Sequence, residues 1–116
     1  MLITIDPASP EPLFEQLATG IRAQIIAGDL RAGERLPAAR ELGESLELNV
    51  HTVLRAYQGL RDEGFIDLRR GRGAVVAARA HDYAELSADV ARLVALARKL
   101  DLTPGALSAL IRKEYE

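Results

Sequence analysis

From Phe14 onward the apolar residues recur at steps of three and four: Phe14, Leu17, Ala18, Ile21 and Ile25. That spacing puts them on one face of a 3.6-residue helix and predicts an amphipathic helix to about Ala27. Ser9-Pro10-Glu11-Pro12 stands before it as a start signal, a small polar cap and then proline early, where a missing N–H costs little. Gly28-Asp29 ends it. Upstream, Met1–Asp6 alternates Leu2 and Thr4 against Ile3 and Ile5, which fits a short edge strand or an ordered arm. Asp29–Gly33 reads as a turn, and Arg35-Leu36 as a brief strand stopped by Pro37.

A second helical pattern covers roughly Ala38–Leu46, with Ala39, Leu42 and Leu46 inward and Arg40, Glu41 and Glu44 outward. Glu47-Leu48 turns the chain. Asn49 then stands where an N-cap belongs, with its side-chain oxygen expected on the amide of Thr52. The third helix is expected over Val50–Glu63, with Val53, Ala56, Tyr57 and Leu60 as its buried stripe, and Gly64 suits the left-handed position just past its end. Phe65–Arg69 alternates Phe65, Asp67 and Arg69 against Ile66 and Leu68, and Ala74–Ala78 contains Val75 and Val76. Between these runs lies Arg70-Gly71-Arg72-Gly73, so the pair reads as a β-hairpin. Helix, helix, helix, hairpin is the order of a winged helix-turn-helix, and the fold expected is mainly α with a small β-hairpin wing.

The remainder is helical in pattern. Leu86, Val90, Leu93, Ala97 and Leu100 follow each other at 4, 3, 4, 3 from Asp82 to Leu100, with Val94 and Leu96 widening the stripe. Thr103-Pro104 restarts a helix carrying Leu107, Leu110, Ile111 and Tyr115. A stripe this apolar folds back on the first helix or packs against a second copy. Its heptad-like spacing favours another helix as partner, so a two-helix dimerisation tail is expected, built on Leu86, Val90, Leu93, Val94, Leu100, Leu107, Leu110 and Ile111. The expected division is residues 1–78 for the winged segment and 79–116 for the tail.

Composition narrows the chemistry. The 116 residues are 48% apolar and only 4% aromatic, enough for one domain with an aliphatic core and a small appendage. There is no cysteine, which removes disulfides, thiol catalysis and Cys-type metal sites. No signal peptide or membrane span is read from the sequence, so a cytoplasmic protein without membrane contact is expected. The net charge of −2 argues against a nucleic-acid partner until its distribution is seen. Residues 1–30 hold four acids and one base, whereas residues 68–80 hold Arg69, Arg70, Arg72 and Arg79 and no acid. Phosphate affinity follows local charge, not the sum.

A helix lying in a major groove presents its first exposed turn to base edges. Here that turn offers Val50, His51 and Thr52, with Arg55 one turn on. His51 can donate to guanine or phosphate, and Thr52 can donate to phosphate and touch a thymine methyl. Arg55 can reach phosphate. Arg40 is placed to meet the backbone across the groove, and Arg69, Arg70 and Arg72 on a glycine turn can reach phosphate or the minor groove. Taken singly these are ordinary surface residues, with Arg40 and Glu44 an i,i+4 pair. Taken in this order they point to double-stranded DNA. A winged module used for protein–protein association is the competing reading. Catalysis has little to stand on: His51 and His81 are the two histidines, neither has a second ligand at metal spacing, and Gly71-x-Gly73 does not open a helix. No cofactor and no metal are expected.

The motifs Leu36-Pro37-Ala38-Ala39-Arg40-Glu41-Leu42, Asn49-Val50-His51-Thr52-Val53, Arg55-Ala56-Tyr57, Glu63-Gly64-Phe65-Ile66 and Arg70-Gly71-Arg72-Gly73 resemble the N-terminal domain of GntR-type bacterial transcription regulators. Pro12–Leu17 and Gly28–Pro37 resemble the same family's first helix and turn. The Asn-x-x-Thr-Val-x-Arg-Ala-Tyr form is similar to the YtrA and MocR branches, and the short tail to YtrA, where such a tail serves dimerisation. The resemblance implies DNA contacts at Arg40, Asn49, His51, Thr52, Arg70 and Gly71. It implies a homodimeric regulator, a repressor, on a two-fold symmetric operator. Two positions depart from the pattern. Val50 stands where relatives often carry proline or arginine and is left as a methyl contact. Leu54 stands where the FadR-like branch has a DNA-contacting arginine and is given no polar role. Signal input is left open between a small-molecule effector, another protein and expression level.

Overall fold

Helix formation begins one residue past Pro12. A proline biases the residue before it toward extended backbone, and α1 accordingly runs Leu13–Ala27 with Pro12 at its cap. Ser9, expected as the polar cap, instead accepts from the amide of Glu11 at 3.2 Å, in a turn ahead of the helix. Gly28 closes α1 at φ 88°, and Asp29 and Leu30 both donate to the carbonyl of Gln24. The structure, a computed structural model, describes residues 2–116.

After α1 come α2 (Ala39–Leu46), α3 (Val50–Asp62), β1 (Ile66–Arg69), β2 (Gly73–Val76), a 3-10 turn (Ala78–Asp82), α4 (Tyr83–Lys99) and α5 (Pro104–Glu114). The protein is mainly helical with one antiparallel hairpin, a winged helix. The helices of the winged segment pack as their stripes require, α3 lying against both α1 and α2. Leu17, Ile21 and Ile25 from α1 meet Val53, Ala56, Tyr57 and Leu60 from α3, with Leu36, Leu42, Ile66 and Val76 completing the core. No charged residue is buried among the described residues. Glu63 ties the end of α3 back to Arg22 of α1 through a 2.6 Å ion pair.

The hairpin pairs Ile66 with Val76 and Arg69 with Gly73. Strict alternation fails on β2, where Ala74, Val75 and Val76 are all buried. The reason is a third segment: Gly33 donates to Val76, Leu36 donates to Ala74, and Val76 donates to Glu34. Arg35 thus bridges Val75 as the brief strand expected there, reduced to one residue. Residues 2–6 form no strand. They are an arm along α1, with Ile3 and Ile5 half-buried on the core. The Gln16 side chain serves as its backbone mate, accepting from Asp6 N at 2.8 Å and donating to Asp6 O at 3.0 Å.

The chain divides into two compact units, the first ending at Ala84 and the second comprising Glu85–Glu116. The first reaches past residue 78 because the 3-10 turn brings Ala80 into the core and Tyr83 onto it, the Tyr83 ring stacking with Phe65 at 5.7 Å. In the second unit Asp101, at φ 57°, breaks the chain between α4 and α5, and Leu102 donates back to Ala97. Thr103 then caps α5 by accepting from Ala106 at 3.1 Å, with Pro104 in the first turn.

Candidate nucleic-acid interface

The face that α3 leaves uncovered is fixed by the face it buries. Val53, Ala56, Tyr57 and Leu60 point inward, and at about 100° per residue the opposite side carries His51, Leu54, Arg55 and Gln58, all exposed. Val50 and Thr52 are half-buried at its flanks. Asn49 caps the helix, as its type and place require. Its Oδ1 accepts from His51 at 2.8 Å rather than from Thr52. The amide of Thr52 is taken by the backbone carbonyl of Asn49 at 3.0 Å, leaving the side chain to satisfy the donor one residue earlier.

The turn that presents α3 is unusually close. Leu48 donates to the carbonyl of Gly43 at 2.8 Å, and a Cβ on Gly43 would lie 2.8 Å from the Leu48 carbonyl oxygen. Gly43 is therefore a positioning residue that the sequence pattern does not single out. A glycine inside a helix reads there only as a weak helix former. Tyr57 positions the other end of α2: its hydroxyl donates to the carbonyl of Pro37 at 2.7 Å. Burial, with Glu41 adding to it, raises the Tyr57 pKa well above the ordinary phenol value.

The arginines separate into three kinds. Arg69 pairs with Asp67 at 3.5 Å, and Arg79 lies over Gly64, where a Cβ would meet its Nη1 at 2.5 Å. Arg55 is drawn sideways, its guanidinium 3.8 Å from the centre of the Phe14 ring. Within helical reach it shares a surface recess with His51 and Thr52. Arg40, Arg70 and Arg72 are exposed and enter none of the ion pairs among the described residues. The i,i+4 pair with Glu44, the alternative reading of Arg40, is not among those ion pairs. Of the four arginines that made residues 68–80 look basic, two are thus uncommitted, at the wing tip on either side of Gly71 (φ 80°).

A cleft joins these parts. The start of α2 (Pro37, Ala38, Ala39), Leu54 and Tyr57 of α3, and Leu68, Arg70 and Ala74 of the wing line one depression. Leu54 and Leu68 are 40% and 39% exposed within it. In the tail, Leu86, Val90, Leu93, Leu100, Leu110 and Ile111 are exposed, and Val94 and Leu107 half-buried. Ala97 alone on α4 is buried. Among the described residues no cluster of His, Asp or Glu could hold a metal ion, and no helix is long and apolar enough to cross a membrane.

Comparison with known proteins follows the same parts. The sequence pattern of "Bacterial regulatory proteins, gntR family" matches residues 13–76, from the start of α1 to the end of β2. The HTH-type transcriptional repressor YtrA of Bacillus subtilis is 37% identical over 79 residues, 68% of this chain and 61% of that protein. This chain thus spans less than two thirds of that relative. The HTH-type transcriptional regulator Rv1152 of Mycobacterium tuberculosis is 33% identical over 101 residues, 87% of this chain and 84% of that one. Among solved structures, YtrA from Sulfolobus acidocaldarius, a GntR-family transcription factor, superposes with a TM-score of 0.63 at 32% identity, covering 97% of this chain and 96% of that one. These relatives are transcription regulators by name. The family pattern covers more than half of the sequence, and the chain belongs to the GntR family of bacterial regulatory proteins, with its likeness inside that family to YtrA.

Proposed function

We propose that the chain is a sequence-specific DNA-binding transcription regulator, acting in the cytoplasm as a homodimeric repressor on a two-fold symmetric operator. The observation that carries this is the uncovered face of α3 with its capped first turn, bordered by Arg40, Arg70 and Arg72, which enter none of the ion pairs among the described residues. Asn49 holds the helix start, and Val50, His51 and Thr52 meet base edges and adjacent phosphates. Arg40 meets the backbone on one side, and Arg70, Gly71 and Arg72 meet it on the other. Arg55 and Arg69 stand at the margins, the first spread on Phe14 and the second shared with Asp67. The name of the Bacillus relative, a repressor, supports the sign of regulation.

The dimer rests on the tail. Exposed apolar faces on both α4 and α5 favour burial against a second copy through Leu86, Val90, Leu93, Val94, Leu100, Leu107, Leu110 and Ile111. A two-fold pair would set its recognition helices about 34 Å apart or a multiple of it. A small-molecule effector remains a proposed partner, without a site assigned to it.

Binding to mixed-sequence DNA as a function of salt tests the DNA reading. The log–log slope is expected near −0.9 for each phosphate neutralised. A flat response would support protein association as the module's use instead.

A further inference from the structure

We infer that Leu54 and Leu68 form an apolar seam that reads a thymine methyl group, so that this protein's operator has a thymine requirement set by the gap between recognition helix and wing. The inference rests on the DNA-binding reading above and names one element of its specificity. Leu54 lies on the uncovered face of α3, one turn on from His51, and Leu68 is the hairpin residue beside it. Both line the same cleft and both are left about two-fifths exposed. The core aliphatics of the winged unit are closed off by comparison: Leu17, Ile21, Leu60 and Ile66 are at most 1% exposed, and of the unit's other large aliphatics Leu2 and Leu13 are also exposed, neither of them in this cleft.

The surroundings fix the occupant. The seam is flanked by Arg70, which enters none of the ion pairs among the described residues, so an anionic polymer is drawn to its rim. The other polar side chains of its lining are engaged elsewhere, the Tyr57 hydroxyl donating to the Pro37 carbonyl and Arg69 pairing with Asp67, so Leu54 and Leu68 are what it offers a base edge. In the major groove the one apolar feature of a base pair is the thymine C5-methyl, and aliphatic side chains are suited to it. Helix geometry agrees with a single reader: His51 and Leu54 are about 60° apart around α3, so one base step can meet the imidazole and the next the leucine. Arg55, on the far side of the same face, is held by Phe14 and does not enter the seam.

The test changes the DNA and not the protein. A site is first selected from a random pool by the full chain, and each thymine in it is then replaced in turn by deoxyuridine, which removes only the methyl. At one thymine per half-site the wild type is expected to lose about fourfold in affinity, the worth of one buried methyl-sized group. Leu54→Ala is expected to bind the thymine and uracil forms of that position equally. Leu68→Ala is expected to shrink the difference. Specific binding in which no thymine-to-uracil change matters, or in which the loss persists in Leu54→Ala, would overturn the inference while leaving DNA binding intact. Failure to bind any DNA would overturn the reading on which it rests, and this one with it.

Discussion

Two glycines in neighbouring helices should answer the same substitution with opposite signs. Gly43 lies within α2 and Gly59 within α3. Alanine is favoured over glycine in a helix interior by about 1 kcal/mol, so propensity alone raises stability at both. At Gly59 a Cβ would meet nothing within 4 Å, and the whole gain should appear. At Gly43 the Cβ would stand 2.8 Å from the Leu48 carbonyl oxygen, a backbone atom that cannot swing aside. The Leu48 amide is itself bonded to Gly43. Overpacking of this kind costs roughly 1–3 kcal/mol, so Gly43→Ala should come out destabilised by about 1 kcal/mol net. For a domain of this size, 1 kcal/mol moves Tm by about 4–8 °C. Thermal unfolding followed by far-ultraviolet circular dichroism should therefore show Gly59→Ala melting above the parent and Gly43→Ala below it. Equal upward shifts would mean that the helix-turn-helix has slack at Gly43, and the argument that this glycine sets the angle of α3 would be refuted.

Other outcomes follow from single contacts. Tyr57→Phe leaves the Pro37 carbonyl without its donor and should cost about 1–2 kcal/mol in denaturant unfolding. Because burial and Glu41 raise the Tyr57 pKa in the folded state, its contribution is complete below the unfolded-chain value near 10. It is lost as pH rises from there through the higher folded value, so the parent should lose stability above pH 10 more steeply than Tyr57→Phe. Arg70→Ala with Arg72→Ala should reduce the salt slope of DNA binding by up to about 1.8, and Arg69→Ala, already paired with Asp67, by less. Val90→Asp and Leu110→Asp, at positions about half exposed in the single chain, should leave the melting of the winged unit unchanged and shift sedimentation equilibrium toward monomer.

The helices and the wing were legible because their signals are local. Apolar residues at three and four place the stripes of α1 and α3, and Gly28 and Gly64 mark ends that a left-handed residue must close. What was not legible depends on partners far off in sequence. The burial of Val75 on the outer side of β2 requires residues 33–36 to come alongside. The fate of Arg55 is decided by Phe14, over forty residues earlier, and that of Arg79 by the bare backbone at Gly64. Counting arginines between residues 68 and 80 overstated the basic surface, since a charge count does not see Asp67 reach Arg69. Asn49 was recognisable as a cap by type and place, but which amide it serves is settled by the backbone carbonyl that takes Thr52 first. Leu54 stood out only as a departure from a polar pattern. Its meaning emerges from Leu68 beside it.

Selection of DNA by the full-length protein from a random pool, with sequencing of what is retained, tests the central claim most directly. The account predicts one enriched motif, two-fold symmetric, with half-sites separated by about one helical turn or a multiple of it. Retention of unrelated sequences with no common motif, or of nothing at all, would contradict it.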